Sequence, residues 1–285
     1  MSPRPAIGVF DSGVGGLTVL KELVALVPAA DYLYFGDTAR LPYGSKSVET
    51  VARYAISAAR FLEDKKIELL VVACNTASAL ALQEITAAVR VPVIGVIEPG
   101  ADAAAAASRT RKAVVIGTEG TVSSHAYQRA LAARGIEARE QACPLFVPLV
   151  EEGWTDHPVT EQVAHIYLDA LFKNGPASAD VMVLGCTHYP LLKPLLRRLA
   201  PPSVTIVDSA ESTAQAVARS AAVSAAVAGA SSLPPRGQDA RATAGGTPAL
   251  RFFSTDSVEK FRRLGERFLG HPVEDVARVD LDRLP

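Results

Sequence analysis

Residues 69–78 read LLVVACNTAS and residues 181–190 read VMVLGCTHYP, and their likeness decides the fold. Each is an apolar run that reads as a strand, then a small residue, a cysteine and two polar side chains. The two cysteines, Cys74 and Cys186, stand 112 positions apart, about one domain length. The pair reads as a weak internal repeat, two similar halves facing each other across a cleft.

The same rhythm continues outward from these stretches. Apolar runs at 6–10, 32–35, 69–73, 93–97, 113–116, 181–185 and 204–207 alternate with amphipathic patterns such as 17–27, 48–63, 77–89 and 126–134. That alternation predicts an α/β protein whose parallel sheets carry helices on both faces. A further strand is expected at 250–253 and a helix at 258–268, so the two ends of the chain share a sheet. The expected division is a first domain of residues 1–97 plus 209–285 and a second of residues 98–208. The segment 220–248, with SSLPPRGQDARATAGGTP at 231–248, reads as a flexible surface insertion centred near 229–249.

Composition narrows the function. The 285 residues carry a net charge of −1, so no basic field exists to hold nucleic acid. No run approaches the ~18 apolar residues of a membrane helix, and the N-terminal MSPRPAIGVFDSG reads as a first strand, not a signal peptide. A soluble, cytoplasmic protein is expected. The three cysteines are odd in number, form no CxxC pair and share no zinc-like spacing with histidine, so neither a disulfide scaffold nor a metal site is expected.

In open parallel sheets, ligands bind where each strand hands over to its helix. Four such places carry unusual residues: DSGVGG at 11–16, GDTARLPYG at 36–44, CNT at 74–76 and CTHYP at 186–190. A lone free cysteine is usually a small buried hydrophobe. Two in matched settings, each opening a helix whose N-terminus favours thiolate, point to acid–base work. Stereoinversion at carbon needs a base on one face and an acid on the other, which two thiols supply without a metal. Asn75-Thr76 and Thr187-His188 fit helix capping as well as carboxylate binding. The loop at 11–16 is a poor dinucleotide fingerprint, because Thr18 stands where the third glycine belongs and Asp11 begins the loop. Asp11 and Ser12 fit better as partners for an ammonium group or as an aid to proton transfer. His188 is the one histidine beside a candidate catalytic group. Cys143 reads as structural, and Glu151, at the close of the apolar stretch 145–150, reads first as a solvated strand end.

FDSGVGGLTV at 10–19, YFGDTARLPYG at 34–44, VVACNTAS at 71–78, GTEGTV at 117–122, CPLFVPLVEEG at 143–153 and LGCTHYP at 184–190 together resemble the glutamate racemase family, part of the cofactor-independent aspartate/glutamate racemases. The likeness runs from about residue 7 to 218, with a further piece at 252–270. It implies two doubly wound α/β domains related by a pseudo-twofold, with the active site in the cleft between them. It implies L- or D-glutamate as substrate, no cofactor, and Cys74 and Cys186 as the proton donor and acceptor. Asp11, Ser12, Tyr43, Gly44, Asn75, Thr76, Thr187 and His188 would surround the substrate. Asp11 would assist Cys74, while His188 and one glutamate, Glu151 with Glu152 as the alternative, would assist Cys186. D-Glutamate would then serve peptidoglycan synthesis. The oligomeric state stays open, with a homodimer as the one assembly named. The chain departs from the family mainly in the insertion near 229–249. Three other readings remain: an aspartate racemase, a cysteine hydrolase with one nucleophile, and a non-catalytic amino-acid-binding protein.

Overall fold

Ala6–Asp11 forms β1, and its buried residues face both ways, as a strand covered on both sides requires. It lies between β2 (Asp31–Gly36) and β3 (Leu69–Val72), parallel to both. A short β4 (Val93–Gly95) extends the sheet beyond β3. The computed structural model describes residues 4–172, 179–220 and 247–281. Four further strands form a second sheet: β5 (Lys112–Gly117), β6 (Glu137–Ala142), β7 (Val181–Gly185) and β8 (Thr205–Asp208). From the C-terminal part of the chain, β9 (Leu250–Ser254) and β10 (Val276–Arg278) return to the first sheet. Its order is β10-β9-β2-β1-β3-β4, and that of the second is β6-β5-β7-β8, with every pairing parallel. The molecule is thus two parallel-sheet α/β domains.

The two sheets repeat one plan. In each, the first strand in sequence lies between the second and the third, and the fourth lies outside the third. Register aligns the strand ends as well: Asp11 pairs with Gly36 in the first sheet, and Gly117 pairs with both Ala142 and Gly185 in the second. The loops that follow are thereby gathered along one edge of each sheet.

Helices supply the crossovers that parallel strands need. Those of the N-terminal part are α1 (Leu17–Leu26), α2 (Val48–Asp64) and α3 (Asn75–Ala88). Next come α4 (Ile97–Ala107), α5 (Glu119–Ser123), α6 (Ala126–Ala132), α7 (Phe146–Glu151) and α8 (Pro158–Phe172). The last are α9 (Lys193–Leu199), α10 (Ser209–Arg219) and α11 (Val258–Leu269). Helix α2 buries Val51, Ala55, Ala58, Ala59 and Leu62 against one face of the first sheet, an i, i+3, i+4 stripe. On the other face Phe261 of α11 packs against Tyr34 and Phe252, with ring centroids 5.9 and 6.3 Å away. Among the described residues, no helix is long and apolar enough to cross a membrane.

Some elements depart from expectation. The strand expected at 93–97 stops at Gly95, and Ile97 already begins α4. The apolar stretch that ends at Glu151 is a helix, α7, so Glu151 is a helix terminus and not a solvated strand end. Cys186 does not open an α-helix: a 3₁₀ turn, Tyr189–Leu192, comes first and leads into α9. The insertion expected at 229–249 lies, as far as residue 246, outside the described residues.

Candidate active site

A cavity of about 240 Å³ lies between the carboxyl ends of the two sheets. Ser12, Tyr43, Gly44, Cys74, Asn75 and Thr76 reach it from the first sheet, and Glu151, Cys186, Thr187 and His188 from the second. Asp11 is the one sequence-predicted site residue that does not line it. Cys74 and Cys186 stand at equivalent points, each just after the third strand of its sheet. Both are free and buried.

Cys74 is itself the N-cap of α3, and the Ala77 N–H donates to its Sγ at 3.4 Å. The capping role proposed for Asn75-Thr76 is therefore taken by the cysteine. A second bond, 3.5 Å long, joins Sγ to the Ser12 hydroxyl. Asp11 stands behind this pair, 1% exposed, with Oδ2 accepting from the Gly13 N–H at 2.8 Å and Oδ1 without a partner. Burial and the nearby Asp11 carboxylate push the Cys74 thiol up to about 12, against the lowering effect of the Ser12 and Ala77 bonds. The helix N-terminus was expected to favour thiolate here, but desolvation outweighs it. Asp11 is raised too, by burial, with the His188 charge and three backbone N–H groups opposing. One negative charge, not two, is what this corner holds comfortably.

The Cys186 side is built differently. His188 Nδ1 stands 4.0 Å from Cys186 Sγ, and its Nε2 lies 3.0 Å from Glu151 Oε1. Burial disfavours a charged imidazole, but the bonds to Cys186 and Glu151 outweigh it and push His188 up to about 10. The shift favours an imidazolium, the counter-charge that a thiolate at Cys186 needs. Burial works to raise Glu151, yet the bond to His188 and the charges of His188 and Lys260 win and lower it. Phe268 on α11 packs edge-to-face with the imidazole, centroids 5.0 Å apart.

The remaining sequence-predicted groups are uncharged. The Tyr43 hydroxyl donates to Asp37 at 2.6 Å, so its ring shapes the wall while its polar end is spent elsewhere. The Asn75 Oδ1 accepts from Tyr127 at 2.8 Å. Thr76 Oγ1 lies 2.9 Å from Thr118 Oγ1, which joins the two halves beside the cavity. A second seam runs from Thr18 Oγ1 to the Thr187 carbonyl at 3.1 Å. Gly15 is needed there, since a Cβ on it would fall 2.3 Å from Thr187 Oγ1 and 2.5 Å from His188 Nδ1. This close approach, not only a turn, explains the glycine-rich loop.

Sequence reasoning missed Leu41, Pro42, Ser45, Thr118, Glu119, Pro144, Val147 and Pro148, which complete the wall. Most lie inside the motifs quoted for the resemblance, which was the available signal. Among the described residues, no lysine or arginine lines the cavity, and His188 is the one basic side chain that does. Among the described residues, no group of three or more His, Cys, Asp or Glu is placed to hold a metal ion.

Residues 7–217 match the Asp/Glu/Hydantoin racemase family. A glutamate racemase of Koribacter versatilis is 61% identical, with 98% of each chain covered. The crystal structure of a Thermus thermophilus glutamate racemase in complex with β-chloro-D-alanine superposes with a TM-score of 0.83, at 45% identity and 100% coverage of both chains. That of a Francisella tularensis glutamate racemase in complex with D-glutamate gives 0.84, at 33% identity and 99% coverage of both. The chain belongs to the Asp/Glu/Hydantoin racemase family and, within it, groups with the glutamate racemases.

Proposed function

We propose that the chain interconverts L- and D-glutamate by passing the Cα proton between Cys74 and Cys186, one thiol on each face of the substrate. The observation that carries this reading is the matched pair of free cysteines after the third strand of each sheet, both opening into one cavity. Two identical groups let one site run in both directions.

In one direction Cys186 acts as the base, with His188 as its counter-ion and Glu151 as the anchor of His188. The Cα–H bond breaks, the proton forms an S–H bond at Cys186, and the electron pair stays on Cα and its carboxylate. Cys74, held as a thiol, delivers its proton to the opposite face and is left as thiolate. The new thiolate is held by the Ala77 N–H and the Ser12 hydroxyl, the two groups already bonded to this sulfur. The opposite enantiomer then starts from this mirror form. Asn75, Thr76, Thr187 and backbone N–H groups near Gly44 hold the carboxylates, while Ser12, with Asp11 behind it, faces the ammonium group. No cofactor takes part.

The two lobes of this reading are residues 1–97 with 209–285, and residues 98–208. The D-glutamate formed supplies peptidoglycan synthesis, and the cytoplasm is the proposed location. A homodimer is the assembly attached to it, which sedimentation of the intact chain tests. The decisive experiment is incubation of L-glutamate in deuterated water with chiral analysis. D-Glutamate carrying deuterium at Cα is expected. Neither a cysteine hydrolase nor a binding protein would exchange that hydrogen, so unchanged L-glutamate would end this reading.

A further inference from the structure

The Asn75 amide is half satisfied. Its Oδ1 accepts from the Tyr127 hydroxyl, while its Nδ2, also buried, has no acceptor among the described residues. Asn75 is 2% exposed and lines the cavity. A buried amide N–H without a partner is rare and costly, which marks it as a donor kept for a ligand. Tyr127 sits on α6, on the opposite side of the cleft, and is fully buried. Its ring is gripped closely: a Cβ on Gly100 would stand 3.1 Å from Cε1, and one on Gly185 3.0 Å from Cε2. The hydroxyl therefore has one place to be. Burial raises it well beyond the ordinary phenol range, so it stays protonated and donates.

Among the described residues Asn75 is the one acceptor of this buried O–H, so leaving the phenol proton paired selects one of the two orientations of the amide. The oxygen turns to the tyrosine, and the NH₂ turns away from it. That choice matters because, among the described residues, no lysine or arginine lines the cavity, so on the Cys74 side, away from His188, a carboxylate depends on neutral donors. With the amide reversed, the ligand would meet a carbonyl oxygen. We propose that Tyr127 is a positioning residue for a substrate carboxylate, setting the Asn75 amide so that Nδ2–H is presented to it. This rests on the glutamate reading of the cavity. It also makes carboxylate recognition depend on both halves, since the donor comes from one and its orientation from the other.

Tyr127→Phe in the full chain removes one hydroxyl and keeps the ring. KM for both enantiomers of glutamate should rise roughly tenfold, the weight of one hydrogen bond to a charged group, with kcat within about twofold. In an Asn75→Ala background the same change should alter KM by less than about twofold, because no amide is left to orient. A merely structural tyrosine would cost as much in either background. Gly100→Ala, within α4, presses on the same ring and should raise KM in the same direction. An unchanged KM in Tyr127→Phe, or an equal rise in the Asn75→Ala background, overturns the proposal. If Tyr127→Phe does not fold, Gly100→Ala decides, and an unchanged KM there overturns it. A wild type that racemises glutamate beside an unaffected Tyr127→Phe defeats this inference alone. A wild type inert toward glutamate defeats the glutamate reading and the inference together.

Discussion

Cys74 and Cys186 occupy the same point of one repeated plan, yet their surroundings share almost nothing. Cys74 caps a fourteen-residue helix and has an acid, Asp11, behind it. Cys186 precedes a 3₁₀ turn and has a cation, His188, two residues on and held by Glu151. Repeating the backbone has reproduced the position of the sulfur and not its charge. The difference suits a two-base site, in which one group must begin as acid and the other as base. A symmetric pair of thiolates across a buried cavity would repel each other, and a symmetric pair of thiols would lack a base.

Removing either sulfur tests that division most severely. Cys74→Ala and Cys186→Ala should each lower racemisation by roughly 10⁴-fold or more, and the double variant should lose little beyond that. A single variant with near-wild-type turnover in both directions would sink the two-base scheme.

The supporting groups should cost less, and differently. His188→Asn and Asp11→Asn are each expected to lower kcat/KM by about 10²-fold. The loss must be equal in both directions, because two enantiomers have equal free energy. The asymmetry belongs in the isotope effect on Cα deuteration. His188→Asn should raise it for the enantiomer whose proton goes to Cys186 and lower it for the other, and Asp11→Asn should do the reverse. Identical isotope effects in the two variants would mean that the two sides are chemically alike after all.

Stability separates the two sides again, with a sign that can be worked out. His188 is raised in the fold, so its contribution is fully present below ~6.5 and is lost as pH rises through about 10. The wild type should therefore lose melting temperature over that window faster than His188→Asn does. Asp11 is also raised, so its favourable form is the protonated one and its burial costs stability once it ionises. Asp11→Asn keeps an oxygen for the Gly13 N–H and removes the charge, and should melt roughly 2–4 °C higher at mild alkaline pH while turning over more slowly. A lower melting temperature would show that the carboxylate stabilises the fold.

Much of this frame is legible in the chain because apolar runs of five residues, followed by Cys-Asn-Thr and Cys-Thr-His, repeat at one domain's distance. Two of the four edge strands, β6 and β10, were not legible. Glu137–Ala142 reads EAREQA, with charges on a strand that is paired on one side only, and Val276–Arg278 has three residues. Pro148 hid α7, although a proline early in a helix is tolerated there. The fate of each thiol was not legible either. Desolvation and the reach of His188 and Asp11 are properties of the packed cavity, and Tyr127 meets Asn75 across 52 positions of sequence.

The third cysteine gives the mildest test of the comparison. Cys143 is fully buried, and its S–H donates to the Gln141 carbonyl at 3.6 Å. Its own carbonyl accepts from the Tyr189 hydroxyl at 2.8 Å. It does not line the cavity, and burial raises its thiol well above the ordinary range. Thiolate character and access together set the rate of alkylation. Iodoacetamide should therefore label Cys186 first, with its imidazolium beside it, then Cys74 and last Cys143. Glutamate should slow the first two and leave the third unchanged. Cys143→Ala should keep turnover within about twofold of wild type and cost about 1 kcal/mol of stability, the typical price of one small core change. A peptide map in which Cys143 reacts fastest, without protection by glutamate at the other two, would assign the chemistry to the wrong sulfurs.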